Sequence, residues 1–221
     1  MPAGPIADLL AGRVPPDAAA WLAAALDDVK EPDRLAPRWS GAGRRLGKGA
    51  LALDAAEVQR LREGGAPFVP QGWGADECGR ALLLVRALEA VPPEQHPALV
   101  EDLYRTGETR ERQAVLRVLA YLPEPARFTA IAVEAVRANV VPELEAIACE
   151  NPFPARHFEE LAFNQLVMKS LFNGIALRRI EGLPQRRSAE LRRMVANYAS
   201  ERRAAGRVVP DDVTLVLEEG P

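Results

Sequence analysis

Residues 92–172 read PPEQHPALVEDLYRTGETRERQAVLRVLAYLPEPARFTAIAVEAVRANVVPELEAIACENPFPARHFEELAFNQLVMKSLF, and the punctuation of this stretch decides the fold class. Apolar residues recur at helical spacing, and Pro or Gly interrupts them at short intervals. The pattern predicts helices over 94–104, 108–122, 126–138, 142–149 and 155–172. Connections of two to five residues between such helices force neighbours to pack antiparallel. Pro125-Ala126-Arg127-Phe128 and Pro154-Ala155-Arg156-His157 each open a helix, 29 residues apart, with Pro at the favoured first position. The class is therefore expected to be all-α: an irregular HEAT/TPR-like array of antiparallel helix pairs, with a compact helix bundle as the alternative.

Upstream, Trp21, Leu22, Ala25, Leu26 and Val29 mark a helix after Pro15-Pro16. Asp54 and Glu57 have the spacing of a capping box that opens a helix over 55–62, with Gly64-Gly65 stopping it. Asp76 is placed to cap the strongly apolar helix around Leu82, Leu83, Leu84, Val85 and Leu88. Between them, residues 32–70 crowd Trp39, Ser40-Gly41-Ala42-Gly43 and Gly47-Lys48-Gly49 together and read as a Gly/Pro-rich loop, either solvated or strapped over the helices. Gly47-Lys48 is not a phosphate-binding P-loop. The first glycine of that motif falls on Ala42, Gly49 replaces the hydroxyl residue, and no strand precedes it. A looser anion-binding nest from Gly43, Arg44, Arg45 and Lys48 is the functional alternative.

With 221 residues and 48% hydrophobic content the chain can bury a substantial core, and one continuous domain over 1–221 is expected. The N-terminal residues lack a basic and apolar leader, and no apolar run has membrane-spanning length, so a cytoplasmic protein without a transmembrane segment is expected. Cys78 and Cys149 lack a CxxC partner or a nearby His and read as buried thiols. His157 and Glu160 stand at a spacing that metal sites use, but His96 is the one other histidine, so no metal and no cofactor is expected.

Charge is uneven. Residues 169–207 hold ten basic residues against Glu181, Glu190 and Glu201, a local +7, which leaves −10 elsewhere for a net −3. This basic helical segment, about 150–212, has three readings: a solvated face paired with the acidic remainder, an anion pocket, or a nucleic-acid surface. The overall acidity and the lack of a recognised motif argue against nucleic acid. On the helix over 155–172, apolar nearly all round, Asn164, Gln165 and Lys169 need partners. Asn173-Gly174 can fold the chain back and bring Arg178 or Arg179 to the same cavity. Arg202 continues the Leu191, Val195, Tyr198 stripe and is expected to be more buried than Arg192 or Arg193, on a carboxylate or carbonyl. Asn164, Gln165, Lys169, Arg178, Arg179 and Arg202 are thus the candidate ligand-binding residues, and no catalytic residue stands out.

Three runs, ENPFPARHF at 150–158, AFNQLVMKSLF at 162–172 and RIEGLPQRRSAELRRMVANYASERRAAGRVVPDDV at 179–213, together resemble the EboA family. That resemblance implies a bacterial protein encoded in an ebo gene cluster, beside proteins resembling a prenyltransferase, a sugar-phosphate cyclase and metal-dependent hydrolases. It also implies a part in making or exporting a secondary metabolite. The expected function is a non-catalytic helper or binding component of such a pathway, its partners the other proteins of the cluster. The alternative is an enzyme or carrier whose Arg-rich pocket takes an anionic, phosphorylated or prenylated small molecule.

Overall fold

Leu82, Leu83, Leu84, Val85 and Leu88 leave their helix almost no polar face, and such a helix needs neighbours on every side. In the computed structural model, which describes residues 4–66 and 68–218, it has them. The described residues form thirteen α-helices and seven 3₁₀ turns, with β pairing limited to the isolated bridges Ala50–Gly74 and Cys149–Ile180. The all-α class is what the structure shows. No described helix is long and apolar enough to cross a membrane. Cys78 and Cys149 are both buried. Contacts divide the chain into two units, Met1–Glu124 and Pro125–Pro221.

The first unit runs α1 (Gly4–Ala11), α2 (Pro16–Asp28), α3 (Leu35–Leu46), α4 (Ala55–Glu63), α5 (Ala75–Leu88), α6 (His96–Thr106) and α7 (Thr109–Val118). Helix α5 is the hub, packed by α1, α2, α3 and α7. Leu82, Leu83 and Leu84 are each fully buried, a contribution of about 1.5–3 kcal/mol apiece. The sequence places a Gly/Pro-rich loop over 32–70, broken by the helix expected at 55–62, and the structure corrects it: helix α3 occupies the first part of that span as well. Leu35, Trp39, Ala42 and Leu46, at i, i+4, i+7 and i+11, all lie buried on one face of α3, so burial outweighs the glycines' poor helix propensity. The capping box at α4 forms as read: Asp54 accepts from the Glu57 amide at 2.8 Å and Glu57 accepts from the Asp54 amide at 2.9 Å.

Asp76 does not cap α5, which is a second correction. The cap residue is Gly74, whose amide donates to Glu77 at 2.6 Å, and Asp76 lies fully buried as the second residue of the helix. Asp76 accepts from Arg80 at 2.8 Å and from Arg110 of α7 at 2.9 and 2.5 Å, while Glu77 accepts from Arg117 at 3.1 Å. Arg80 also donates to the Trp39 carbonyl of α3 at 3.0 Å. The charges on this turn thus fasten α3, α5 and α7 to one another.

The second unit contains α8 (Thr129–Arg137), α9 (Val141–Ala148), α10 (Phe153–His157), α11 (Glu160–Phe172), α12 (Ala189–Ala204) and α13 (Thr214–Leu217). The single helix expected over 155–172 is two, because Phe158 is extended and buried. Arg186 donates to the Ala155 and Phe158 carbonyls at 2.6 and 2.7 Å and lies over the Phe163 ring at 4.6 Å, satisfying acceptors that the break leaves open. Of the two echoed Pro-Ala-Arg runs, the first forms a 3₁₀ turn and the second lies in α10.

Candidate functional site

The residues singled out on the C-terminal segment are held separately. Lys169 donates to the Arg137 and Ala138 carbonyls at 3.0 and 3.1 Å and to Asn139 at 3.3 Å, closing the C-terminus of α8. Its three donors are spent there, on the wall of a small cleft of about 180 Å³ shared with Val141, Leu144 and Asn173. Arg179 grips Glu150 in bidentate fashion at 2.7 and 2.9 Å and also pairs with Glu145. Those bonds to Glu150 and Glu145 push its guanidinium pKa up despite partial burial. Arg178 is exposed, and Gln165 is half-buried. The Asn164 amide donates to Ser188 at 3.4 Å, and its buried Oδ1 has no partner among the described residues.

Arg202 donates to the Val208 carbonyl at 2.6 Å and covers the Tyr198 ring at 5.6 Å. It is half-buried, as is Arg192, so the expected contrast holds only against exposed Arg193. Four of the ten cations behind the local +7 are therefore spent on backbone. Arg186, Arg187, Arg202 and Lys169 all donate to main-chain carbonyls, and such acceptors carry no net charge for a charge count to register. Lys169→Ala is expected to lower stability by about 1–2 kcal/mol through loss of the α8 closure, measured by thermal denaturation.

A set of uncommitted cations shares one groove in the first unit. On α3, with Arg34 at its N-cap, the positions Arg34, Arg38, Gly41 and Arg45 recur at i, i+4, i+7 and i+11, one step round the helix from the buried stripe. With Arg44 beside them they line a groove of about 290 Å³, which Trp21 and Asp28 of α2 close on the other side. Arg38 is committed: it donates to Asp28 at 2.9 Å, forms a second ion-pair contact with it, and lies over the Trp21 ring at 5.8 Å. Arg34, Arg44 and Arg45 are exposed and have no side-chain hydrogen bond or ion pair among the described residues. Four guanidinia thus face one carboxylate. Glu31 stands in an adjoining cleft that Arg34 also borders.

Gly41 is the odd residue of the groove. A Cβ built there would meet only Trp21, at an ordinary 3.6 Å, so packing does not require glycine. Glycine within a helix costs about 1 kcal/mol relative to alanine. At Gly43, by contrast, a Cβ would stand 3.3 Å from Arg80 Nη2, tighter than ordinary contact. Gly43 lies inside α3 and its backbone is helical, so the nest of Gly43, Arg44, Arg45 and Lys48 does not form. The sequence does not single out Arg34 and Arg38, because residues 32–70 read as a loop, where helical spacing has no meaning.

The family model described as metabolite traffic protein EboA matches residues 5–218, nearly the whole chain. The chain belongs to the EboA family. The match spans both units, so the EboA assignment covers the α2–α3 groove as well as the C-terminal segment that carries the resemblance. No curated protein and no solved structure matches this EboA chain.

Proposed function

We propose that this EboA-family chain is a non-catalytic binding component of a secondary-metabolite biosynthesis or export pathway, and that it holds a small anionic metabolite in the α2–α3 groove. The observation that carries the reading is the set of three uncommitted guanidinia, Arg34, Arg44 and Arg45, around one concave space. The planar guanidinium fork suits bidentate contact with carboxylate or phosphate oxygens. Arginine stays protonated in proteins, so a groove whose polar reach is arginine is suited to grip an anion rather than move a proton. The half-buried face of Trp21 offers an apolar wall for the rest of the molecule.

Purification from the native organism, followed by solvent extraction and mass spectrometry, tests this. The wild type is expected to carry a small anion that the Arg44→Gln/Arg45→Gln double variant loses. Recovery of pathway proteins with no small molecule, equally in both forms, supports a scaffold and refutes metabolite binding. A molecule retained in the double variant but lost in Lys169→Ala or Arg179→Ala places the site on the C-terminal segment instead.

A further inference from the structure

Resting on that reading, we infer that the metabolite is phosphorylated, with its phosphoryl group seated over Gly41 between Arg34 and Arg45. Three features of the groove select this chemistry. The first is charge. Four arginines against Asp28 leave the lining at +3. A carboxylate brings a single negative charge, whereas a phosphomonoester brings about −1.5 to −2 at neutral pH and a diphosphate more.

The second is the number of acceptors. One guanidinium fork satisfies both oxygens of a carboxylate, as Arg179 does with Glu150 in the second unit. Three free guanidinia call for an anion with three terminal oxygens, which a phosphoryl group presents.

The third is register. Arg34 and Arg45 lie eleven residues apart on one stripe, which is roughly 16 Å along a helix. An arginine side chain reaches about 6 to 7 Å from its Cα, so arms extended inward from both ends can grip an anion held between them. Gly41 lies between them on that stripe, seven residues from Arg34 and four from Arg45, and the absence of a side chain there keeps the space open. Arg38 is a positioning residue: Asp28 and the Trp21 ring hold it against the wall and leave the seat to the other three.

The full-length chain is titrated with methyl phosphate, inorganic diphosphate, acetate and malonate at fixed ionic strength. Binding is followed by the fluorescence of Trp21, which is half-buried while Trp39 and Trp73 are buried, and by thermal shift. Methyl phosphate and diphosphate are expected to bind at least tenfold more tightly than acetate or malonate, and Arg34→Gln and Arg45→Gln each to weaken them about tenfold. Methyl phosphate affinity should rise as pH passes upward through about 6, where the second phosphate proton leaves. Gly41→Leu is expected to abolish binding, with Gly41→Ala as the control that keeps the fold.

Malonate binding as tightly as diphosphate, and still lost in Arg45→Gln, overturns the phosphoryl assignment while the anion groove stands. Binding that persists in Gly41→Leu overturns the seat. No anion bound, or equal binding in the wild type and both arginine variants, removes the groove and the functional reading together. Cosedimentation with vesicles containing phosphatidic acid, in place of binding to methyl phosphate, supports a phosphoryl seat but overturns a soluble metabolite as its source.

Discussion

Asp76→Asn is expected to destabilise the chain by about 3–5 kcal/mol, the range for removing one partner of a buried ion pair. Asp76 is 0% exposed and accepts three hydrogen bonds from Arg80 and Arg110. An amide would set N–H donors against those guanidinia and leave the buried Arg80 charge without its closest carboxylate. Arg110 is a third exposed, so Arg110→Gln should cost less, about 1–2 kcal/mol. The pH dependence has a defined sign. Burial alone would raise the Asp76 pKa, but the bond and charge of Arg110, together with Arg80, hold it below the usual carboxylate range. A depressed folded pKa gives stability that is fully present above the unfolded value of about 4 and is lost as pH falls through the folded value. The stability gap between wild type and Asp76→Asn, measured by urea unfolding, should therefore be widest near neutrality and close as pH falls below about 4. A variant as stable as wild type at pH 7, or a gap unchanged down to pH 2, would show that the pair holds nothing together.

How much of this was legible in the sequence depended on whether the deciding partner lay nearby in the chain. The all-α class rests on local periodicity and turn signals, and it is what the structure shows. The Asp54–Glu57 box depends on residues three apart and forms as read. Asp76 carries the same local signal, a short acid before an apolar helix, yet its partner Arg110 lies 34 positions away, and that pairing draws it inward. The break at Phe158 is likewise stabilised from a distance, by Arg186. Helix α3 was obscured by Gly41 and Gly43, two poor helix formers within a segment whose buried stripe depends on α5 packing against it. The candidate groove is illegible in the sequence for the same reason, since its stripe exists only once α3 is helical. Charge can be counted in a sequence, which singles out the basic C-terminal segment, while the carbonyls that receive four of its cations cannot.

Gly79→Ala is expected to lower stability by about 1–3 kcal/mol, although alanine is the better helix former by about 1 kcal/mol. The cause is steric. A Cβ at Gly79 of α5 would stand 2.1 Å from Leu46 Cδ1, and Leu46 is 4% exposed at the end of α3, so it has little room to turn away. Gly41→Ala provides the internal contrast: it meets ordinary contact and should raise stability by about 0.5–1 kcal/mol. Leu46→Ala alone should cost about 2–5 kcal/mol as a buried truncation, but the Gly79→Ala/Leu46→Ala pair should be no less stable than Leu46→Ala, because the clash is gone and the helix gain remains. A higher melting temperature for Gly79→Ala, or simple additivity in the double variant, would rule out a tight α3–α5 seat. The same substitution reaches the groove. Because α3 carries Arg38, Gly41, Arg44 and Arg45, with Arg34 at its N-cap, displacing Leu46 from α5 shifts that stripe relative to Trp21 and Asp28 of α2. Methyl phosphate affinity should then fall in Gly79→Ala with every arginine in place, and recover in the double variant as α3 settles back.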